Sequence, residues 1–198
     1  TDREGCYACP IRCKRVVKPG ERNVDPAYGG PEYETVGAFG PVCGCGDLQA
    51  TAKAHERCNA LGLDTISTGM TIAWLMEAVE RGLISPEKAG VGGFGDTEGM
   101  LALVEAIASR QGLGDVLAEG SKRASAILGF GADFLVEVKG QELPMHDPRG
   151  KVGVALGYAL APGGADHMQL AHDTLMADPE AFGTRSVASL GILDAMGP

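Results

Sequence analysis

The sequence predicts a mainly α fold in which helices alternate with long Gly/Pro-rich loops and strands are few. Two observations support this prediction. Apolar residues recur at intervals of three and four in several segments after residue 47, and capping residues and glycines bound these segments. By contrast, the best strand signal is one short stretch, residues 136–138.

Composition and charge narrow the classes of function. The chain of 198 residues is 44% hydrophobic and 22% charged, which suits a folded protein and excludes a disordered or collagen-like one. Its 26 acidic and 17 basic residues give a net charge of −9, whereas nucleic-acid-binding proteins present basic surfaces. No apolar run approaches the roughly 18 residues of a membrane helix. We therefore expect no nucleic-acid partner, no membrane partner and a cytoplasmic location.

Capping residues place the first helices. Residues 14–46 contain so many glycines and prolines that they predict a loop with at most a short strand. Asp47 and Gly62 bound a helix that covers residues 48–60 or so. A second helix is predicted near residues 70–81, with Ser67 or Thr68 as its cap.

Further helices are expected along the rest of the chain. A short one begins at Pro86, a long one begins at Thr97 and stops before Gly112, and Asp115 caps another over residues 116–128. An apolar stretch at residues 152–160 interrupts a Gly/Pro-rich section, and residues 165–176 and 186–196 are predicted to be helical.

The six cysteines lie at positions 6, 9, 13, 43, 45 and 58, all in the first third of the chain. A disulfide framework would spread them more widely, so their clustering indicates metal binding in a reducing compartment. The spacing Cys6-x2-Cys9-x3-Cys13 suits an iron–sulfur cluster whose fourth ligand comes from elsewhere. A zinc site, in which Cys43-x-Cys45 would be a poor second pair, and plain buried thiols are the alternatives.

Polar residues gather in several glycine-rich segments. Glu32 and Glu34 can supply an acid or a base, and the helix start at residues 64–69 can hold an anion or a polar ring. Three of the four histidines fall between residues 146 and 172, which suits a shared polar site that can donate protons. The alternative is that these groups are surface residues, helix caps and local hydrogen-bond partners.

Taken in order, these segments resemble one family, the tungsten-containing aldehyde ferredoxin oxidoreductases. Each match is weak alone, but the ordered set spans about 160 of the 198 residues and is specific. The matching motifs are Cys6-x2-Cys9-x3-Cys13, Gly30-Pro-Glu-Tyr-Glu-Thr35, Gly62-Leu-Asp-Thr-Ile-Ser-Thr-Gly69, Lys139-Gly, Asp147-Pro-Arg149-Gly and Gly164-Ala-Asp-His167.

The resemblance implies helical domains of the aldehyde ferredoxin oxidoreductase type, with a bis-pterin tungsten (or molybdenum) cofactor beside a 4Fe–4S cluster. Cys6, Cys9 and Cys13 would be three cluster ligands, with the fourth beyond the end of this chain. Acid–base groups near the metal would be Glu34, with Glu32 as second choice, and His167. The residues implied in cofactor binding are Asn59 (where the family usually has aspartate), Gly62, Leu63, Asp64, Thr65, Lys139, Asp147 and Arg149.

The resemblance also implies a function and a domain division. The reaction would be oxidation of an aldehyde substrate to a carboxylic acid, with electrons passed to ferredoxin or a similar carrier. The alternatives are a benzoyl-CoA-type reductase of aromatic acyl-thioesters and a non-catalytic iron–sulfur or zinc-structured module. Residues 1–138 would form the cluster- and pterin-binding domain, and residues 139–198 the start of a truncated C-terminal domain. We expect a fragment that is inactive alone, taken from a homo-oligomer or a subunit of a larger complex.

Overall fold

A computed structural model describes residues 2–5, 7–10, 12 and 14–169, and in this part of the chain helices predominate, as predicted. The helices are α1 (Tyr33–Phe39), α2 (Leu48–Leu61), α3 (Thr65–Glu80), α4 (Pro86–Ala89), α5 (Thr97–Ser109), α6 (Leu113–Leu117), α7 (Ser121–Leu128) and α8 (Val152–Leu160). Short 3₁₀ turns lie at Pro26–Tyr28, Ala132–Phe134 and His167–Gln169. Two antiparallel hairpins pair β1 (Asp2–Glu4) with β2 (Lys14–Val16) and β3 (Glu137–Val138) with β4 (Gln141–Glu142).

Several sequence predictions concern residues outside this description. Cys6 and Cys13 lie outside the described residues, as do the predicted helix at 186–196 and the part of the 165–176 helix beyond residue 169. Within the described part, no helix combines the length and the apolar character needed to cross a bilayer.

The caps of α2 and α3 show how local chemistry sets the helix boundaries. The Asp47 carboxylate accepts hydrogen bonds from the backbone N–H groups of Gln49 and Ala50, and α2 ends at Gly62 with φ 74°, as predicted. The prediction that Ser67 or Thr68 caps α3 was wrong. Asp64 is the cap, because its side chain accepts the Ser67 N–H at 2.7 Å and so starts the helix at Thr65.

The prediction of a loop at residues 14–46 was wrong for α1, although the predicted short strand exists as β2. Gly37 lies inside α1, where a Cβ atom would stand only 2.6 Å from the sulfur of Met145. On α3, a Cβ atom at Gly69 would lie 2.8 Å from the Ala38 Cβ. The two glycines therefore permit close packing of α1 against its neighbours, and this packing outweighs their low helix propensity.

The single helix predicted at residues 116–128 was also wrong, because the structure has two short helices there, α6 and α7. The first helix ends at Ala118, and Gly120, with φ 82°, a positive value that favours glycine, is the residue just before α7. The side chain of Glu142 in β4 then accepts the backbone N–H and the hydroxyl of Ser121, both at 2.8 Å. A carboxylate that is distant in sequence thus caps α7, which a local sequence pattern does not reveal.

Helix α3 occupies the centre of the fold and contacts α1, α2, α4, α5, α7 and β4. Its apolar residues are buried, and Trp74 stacks on Phe130 and donates its Nε1–H to the Gly131 carbonyl at 3.0 Å. The side chains that form the main core include Phe39, Cys43, Cys58, Ile72, Leu75, Met76, Met100, Val104 and Leu117.

Helix α8 packs on the β3–β4 hairpin through a second, small core of Val154, Tyr158 and Ala165. The Lys139 ammonium donates hydrogen bonds to the carbonyl oxygens of Ala159 at 2.8 Å and Ala161 at 2.6 Å. These contacts hold the C-terminal end of α8 beside the hairpin turn. The chain that leaves α8 is thereby directed back towards β3 and β4, where the residues described next come together.

Candidate active site

Three polar side chains from distant parts of the chain meet at one point. The Nε2 atom of His146 lies 3.0 Å from Glu34 Oε1, and the Nε2 atom of His167 lies 3.7 Å from the same oxygen. The two imidazole rings stack with their centroids 4.7 Å apart. The structure therefore brings the predicted residues Glu34 and His167 together and adds His146.

Glu34 is held by the backbone that precedes His146. It lies in the first turn of α1, and its Oε2 atom accepts the Met145 N–H at 2.7 Å. The neighbouring Tyr33 hydroxyl donates to the Met145 carbonyl at 3.0 Å. These two bonds tie α1 to the loop after β4, and they turn Glu34 Oε1 towards the imidazoles.

The histidines are positioned from α8 and from the turn that follows it. The Tyr158 hydroxyl donates to the His146 carbonyl at 3.1 Å, and Lys151 Nζ lies 3.2 Å from His146 Nδ1. His167 follows Asp166, whose carboxylate accepts the Met168 N–H at 2.9 Å and thereby shapes the 3₁₀ turn. Both histidines thus depend on the packing of α8 against the hairpin.

The cluster combines a buried carboxylate oxygen with two imidazoles. Glu34 Oε1 is buried and accepts no well-aligned hydrogen bond from the described residues, although both Nε2 atoms lie within 3.7 Å of it. Burial, together with the charges of Glu34 and Asp166, raises the pKa of Tyr158 to about 12. Tyr158 therefore stays a neutral donor, while Glu34 and His167, with side chains 15% and 17% exposed, can exchange protons with a bound molecule.

A polar cavity of about 440 Å³ opens beside His167. Its walls combine carboxylate, amide and hydroxyl groups with the histidine, a donor and acceptor set that fits the polar ring system of a pterin. The lining residues are Asp64, Ile66, Ser67, Gln141, Glu142, Pro144, Ala165, Asp166 and His167. Asp64, which was predicted to bind the cofactor, is therefore in the same cavity as the predicted catalytic histidine.

The other predicted cofactor-binding residues near α2 and α3 have local partners. Asn59 is exposed and donates its amide N–H to the His55 carbonyl at 2.8 Å, within α2. The Thr65 hydroxyl lies 2.8 Å from the Thr35 hydroxyl and so links α3 to α1. Gly62 and Leu63 form the connection that leads to Asp64, with Gly62 exposed.

Three further predicted residues lie on the hairpin and the loop after it. Lys139 is engaged with the end of α8, as described above. Asp147 and Arg149 form an ion pair at 2.6 Å, and hydrogen bonds from the side chain and the backbone of Arg149 lower the pKa of Asp147 to about 2. Both line a second, more apolar cavity of about 660 Å³.

Glu32, the second choice for the catalytic carboxylate, has a different environment from Glu34. It stands at the N-terminus of α1, its side chain is 52% exposed, and its carboxylate forms an ion pair with Lys14 at 3.1 Å. The structure therefore favours Glu34, which contacts both histidines.

Cys9 lies between β1 and β2, whose last pair is Glu4 with Lys14. Cys9 is partly exposed, and the nearby Ala8 and Arg12 have φ values of 58° and 48°. A Cβ atom at Gly5 would be only 3.1 Å from the Arg12 Cα. The described part of this loop is thus tightly curled, which fits convergence of thiolates on one small cluster.

The remaining cysteines are core residues. Cys43 and Cys58 are fully buried, and burial raises the pKa of each thiol to about 12. Cys43 Sγ donates to the Gly69 carbonyl, and Cys45 Sγ lies 3.4 Å from the Thr97 hydroxyl. This environment favours the protonated thiol at Cys43 and Cys58, and it argues against Cys43-x-Cys45 as half of a zinc site.

Sequence reasoning missed His146, Lys151 and Tyr158 as members of the site. His146 was noted only as one of several clustered histidines, because a loop has no periodicity that shows where a side chain points. Lys151 and Tyr158 lie at the start and near the end of one apolar stretch. Their contacts with His146 can be recognised only when α8 is known to pack beside it.

Comparison with known proteins identifies the family of this chain as one of oxidoreductases. A family model described as "Aldehyde ferredoxin oxidoreductase, domains 2 & 3" matches residues 1–190. The chain therefore belongs to the aldehyde ferredoxin oxidoreductase family, as its motifs predicted.

Individual relatives agree with this assignment. The tungsten-containing aldehyde ferredoxin oxidoreductase of Pyrococcus furiosus is 44% identical over 184 residues, and that of Thermococcus kodakarensis is 42% identical over 181. Each alignment covers 90% of this chain but 29% of the relative, so the chain spans less than a third of their length.

The fold also occurs in a solved structure. This chain resembles the structure titled active site complex BamBC of benzoyl coenzyme A reductase in complex with 1,5-dienoyl-CoA, with a TM-score of 0.58. The match covers 80% of this chain and 24% of the BamBC chain. At 22% identity, this likeness concerns the fold alone.

Proposed function

We propose that the protein containing this chain oxidises aldehydes to carboxylic acids at a bis-pterin tungsten or molybdenum centre. Electrons would leave through a 4Fe–4S cluster to ferredoxin or a similar carrier, within a homo-oligomer or a larger complex. The names of the relatives at 44% and 42% identity support the substrate class and tungsten. The contact of Glu34 with His167 beside a polar cavity supports the chemistry most directly.

The residues fit these cofactors in two places. Cys9, in the curled loop of the first hairpin, would hold the cluster together with Cys6 and Cys13. Asp64 and Thr65, with Asn59, Gly62 and Leu63 before them, would bind one edge of the pterin, while Lys139, Asp147 and Arg149 would support the other side of the site. When bound, the pterin metal centre accepts two electrons, and the cluster passes them on singly. Residues 1–138 and 139–198 are proposed as two domains that share this site.

Glu34 and His167 would accept and donate the protons of the reaction. Aldehyde and water give a carboxylic acid, two electrons and two protons, so the site needs a base for water and a donor at the substrate oxygen. Glu34 Oε1, the buried oxygen between the two imidazoles, would take the proton from water. His167 faces the cavity and would hold or donate a proton at the substrate oxygen.

The test is an anaerobic assay of the full-length protein with aldehydes and a reducible carrier. Glu34→Gln should lower kcat by about 10²- to 10⁴-fold, because general-base catalysis is lost. Glu32→Gln is the matched control, since this carboxylate pairs with Lys14 at the surface, and it should change kcat little. Full activity in Glu34→Gln would contradict the assignment.

The same preparation separates the alternative functions. Reduction of an aromatic acyl-thioester without aldehyde oxidation would favour the reductase type, with which the fold likeness to BamBC is compatible. Zinc, or an iron–sulfur cluster without pterin, would favour a non-catalytic module. Tungsten or molybdenum with about four irons per chain, as a 4Fe–4S cluster requires, supports the proposal.

A further inference from the structure

The three side chains of the site match a pattern that divalent transition metals use. The ligand atoms of Glu34, His146 and His167 all lie within 4.8 Å of one another. Two imidazoles and one carboxylate suit ions such as zinc or ferrous iron, provided that each imidazole offers an unprotonated nitrogen. The protonation of His146 therefore decides what this cluster does.

Lys151 determines which nitrogen of His146 carries the proton. Its Nζ atom lies 3.2 Å from His146 Nδ1. A lysine ammonium has only donors, so Nδ1 must be the acceptor in this contact. A neutral imidazole with Nδ1 as acceptor carries its hydrogen on Nε2. That Nε2 atom is the one 3.0 Å from Glu34 Oε1.

We propose that Lys151 fixes His146 as the Nε2–H tautomer and that His146 is thereby a positioning residue for Glu34. This tautomer places an N–H group 3.0 Å from Glu34 Oε1, the oxygen that acts as the base in the proposed function. The same N–H group occupies the nitrogen that a metal ion would need. His167 is then the histidine that exchanges protons with the substrate, an assignment that rests on the proposed function.

The described neighbours of His146 agree with this tautomer. Lys151, just before α8, lies at Nδ1, and Glu34 from α1 lies at Nε2. The rings of His167 and Tyr33 lie 4.7 Å and 5.8 Å from the His146 ring between centroids, and the Tyr158 hydroxyl donates to the His146 carbonyl. A donor at Nδ1 and a carboxylate oxygen near Nε2 favour a neutral ring with its hydrogen on Nε2.

The tautomer can be measured without turnover. In full-length protein labelled with ¹⁵N-histidine, the His146 signals are assigned by their loss in His146→Gln. The expected result is a protonated Nε2 and an unprotonated Nδ1 in the wild type and in Lys151→Arg, which keeps the donor. Lys151→Met should change the shifts to those of a mixture of tautomers or of imidazolium. Lys88→Met is the matched control, because Lys88 is an exposed lysine in the last turn of α4, and it should leave the His146 signals unchanged.

A kinetic and a metal-binding measurement complete the test. Lys151→Met should lower kcat/KM for the aldehyde by about 10- to 100-fold, as for other residues that orient a functional group, and Lys151→Arg should restore most of it. Zinc should bind Lys151→Met more tightly than the wild type at residues 34, 146 and 167. A wild-type His146 with its proton on Nδ1, or with zinc bound at Nε2, would overturn the proposal. Absence of aldehyde oxidation would contradict only the proposed function, because the tautomer is measured without substrate.

Discussion

Glu142 shows how one buried residue connects distant segments. Glu142 is only 4% exposed. Its Oε1 atom accepts hydrogen bonds from the backbone N–H and the hydroxyl of Ser121 and, at 3.3 Å, from the Thr71 hydroxyl. Strand β4, helix α7 and helix α3 therefore meet at one oxygen atom, which also stands at the wall of the polar cavity.

Loss of this oxygen should be costly. Glu142→Ala leaves three donors without their acceptor in a buried place, and we expect the free energy of unfolding to fall by about 2–3 kcal/mol. Glu142→Gln keeps a side-chain oxygen and should lose about 1 kcal/mol or less. Urea unfolding of both variants checks this difference, and equal losses in the two would refute the acceptor role.

The residues of the candidate site were predictable in part. Glu34 and His167 could be selected because their motifs occur in order along the chain, and the structure brings both to one point. His146 and Lys151 could not, because their meeting depends on a loop conformation and on the packing of α8. Sequence patterns report which residue types are present, whereas the contact between loops is decided by tertiary packing.

Among the elements, α1 and α3 pack closely against each other. Gly69 faces Ala38 so closely that an added Cβ atom would be 2.8 Å from the Ala38 Cβ and 3.0 Å from its carbonyl carbon. Helix α1 carries Glu34, so this contact sets the distance between the proposed catalytic carboxylate and the helical core.

Gly69→Ala distinguishes packing from helix propensity. Alanine is a better helix former by about 1 kcal/mol, but overpacking costs about 1–3 kcal/mol, and we expect a net loss of stability. Gly46→Ala is the control, because its Cβ would meet nothing within 4 Å. Combining Gly69→Ala with Ala38→Gly should recover part of the loss. A more stable Gly69→Ala protein, measured by denaturant unfolding, would show that α1 moves aside freely.

The helices with strong local caps were those that the sequence predicted best. Asp47 and Gly62 bound α2, and Thr97 begins α5, as expected. Helix α1 and the division into α6 and α7 escaped prediction because a glycine contact and the distant Glu142 determine them. Local sequence patterns therefore predict a helix when residues near its ends in the sequence cap its backbone groups.

Across the part of the molecule that the structure describes, the cysteines differ in burial. Cys9 lies in the first hairpin, partly exposed, while Cys43 and Cys58 lie in the core beside α3. Desolvation raises the pKa of the Cys43 and Cys58 thiols, so these two are poorly suited to thiolate chemistry near neutral pH.

Alkylation can separate these environments. In the folded protein, Cys43 and Cys58 should resist iodoacetamide at pH 8, since their pKa values are raised to about 12, and they should react once the protein is unfolded. Removal of iron by a chelator should expose Cys9 to the reagent. Mass spectrometry of peptides after timed labelling gives the rates, and equal rates for Cys58 in folded and unfolded protein would contradict its burial.

The separation of Glu34, His146 and His167 along the chain has a consequence for how the protein forms. Closing a loop of more than 100 residues carries a larger entropic penalty than forming the neighbouring helix contacts between α2 and α7. The helical core should accordingly assemble early during folding, and the cluster of carboxylate and imidazoles late. The cavity wall formed by Ala165, Asp166 and His167 should therefore be completed only after the helical core is already built.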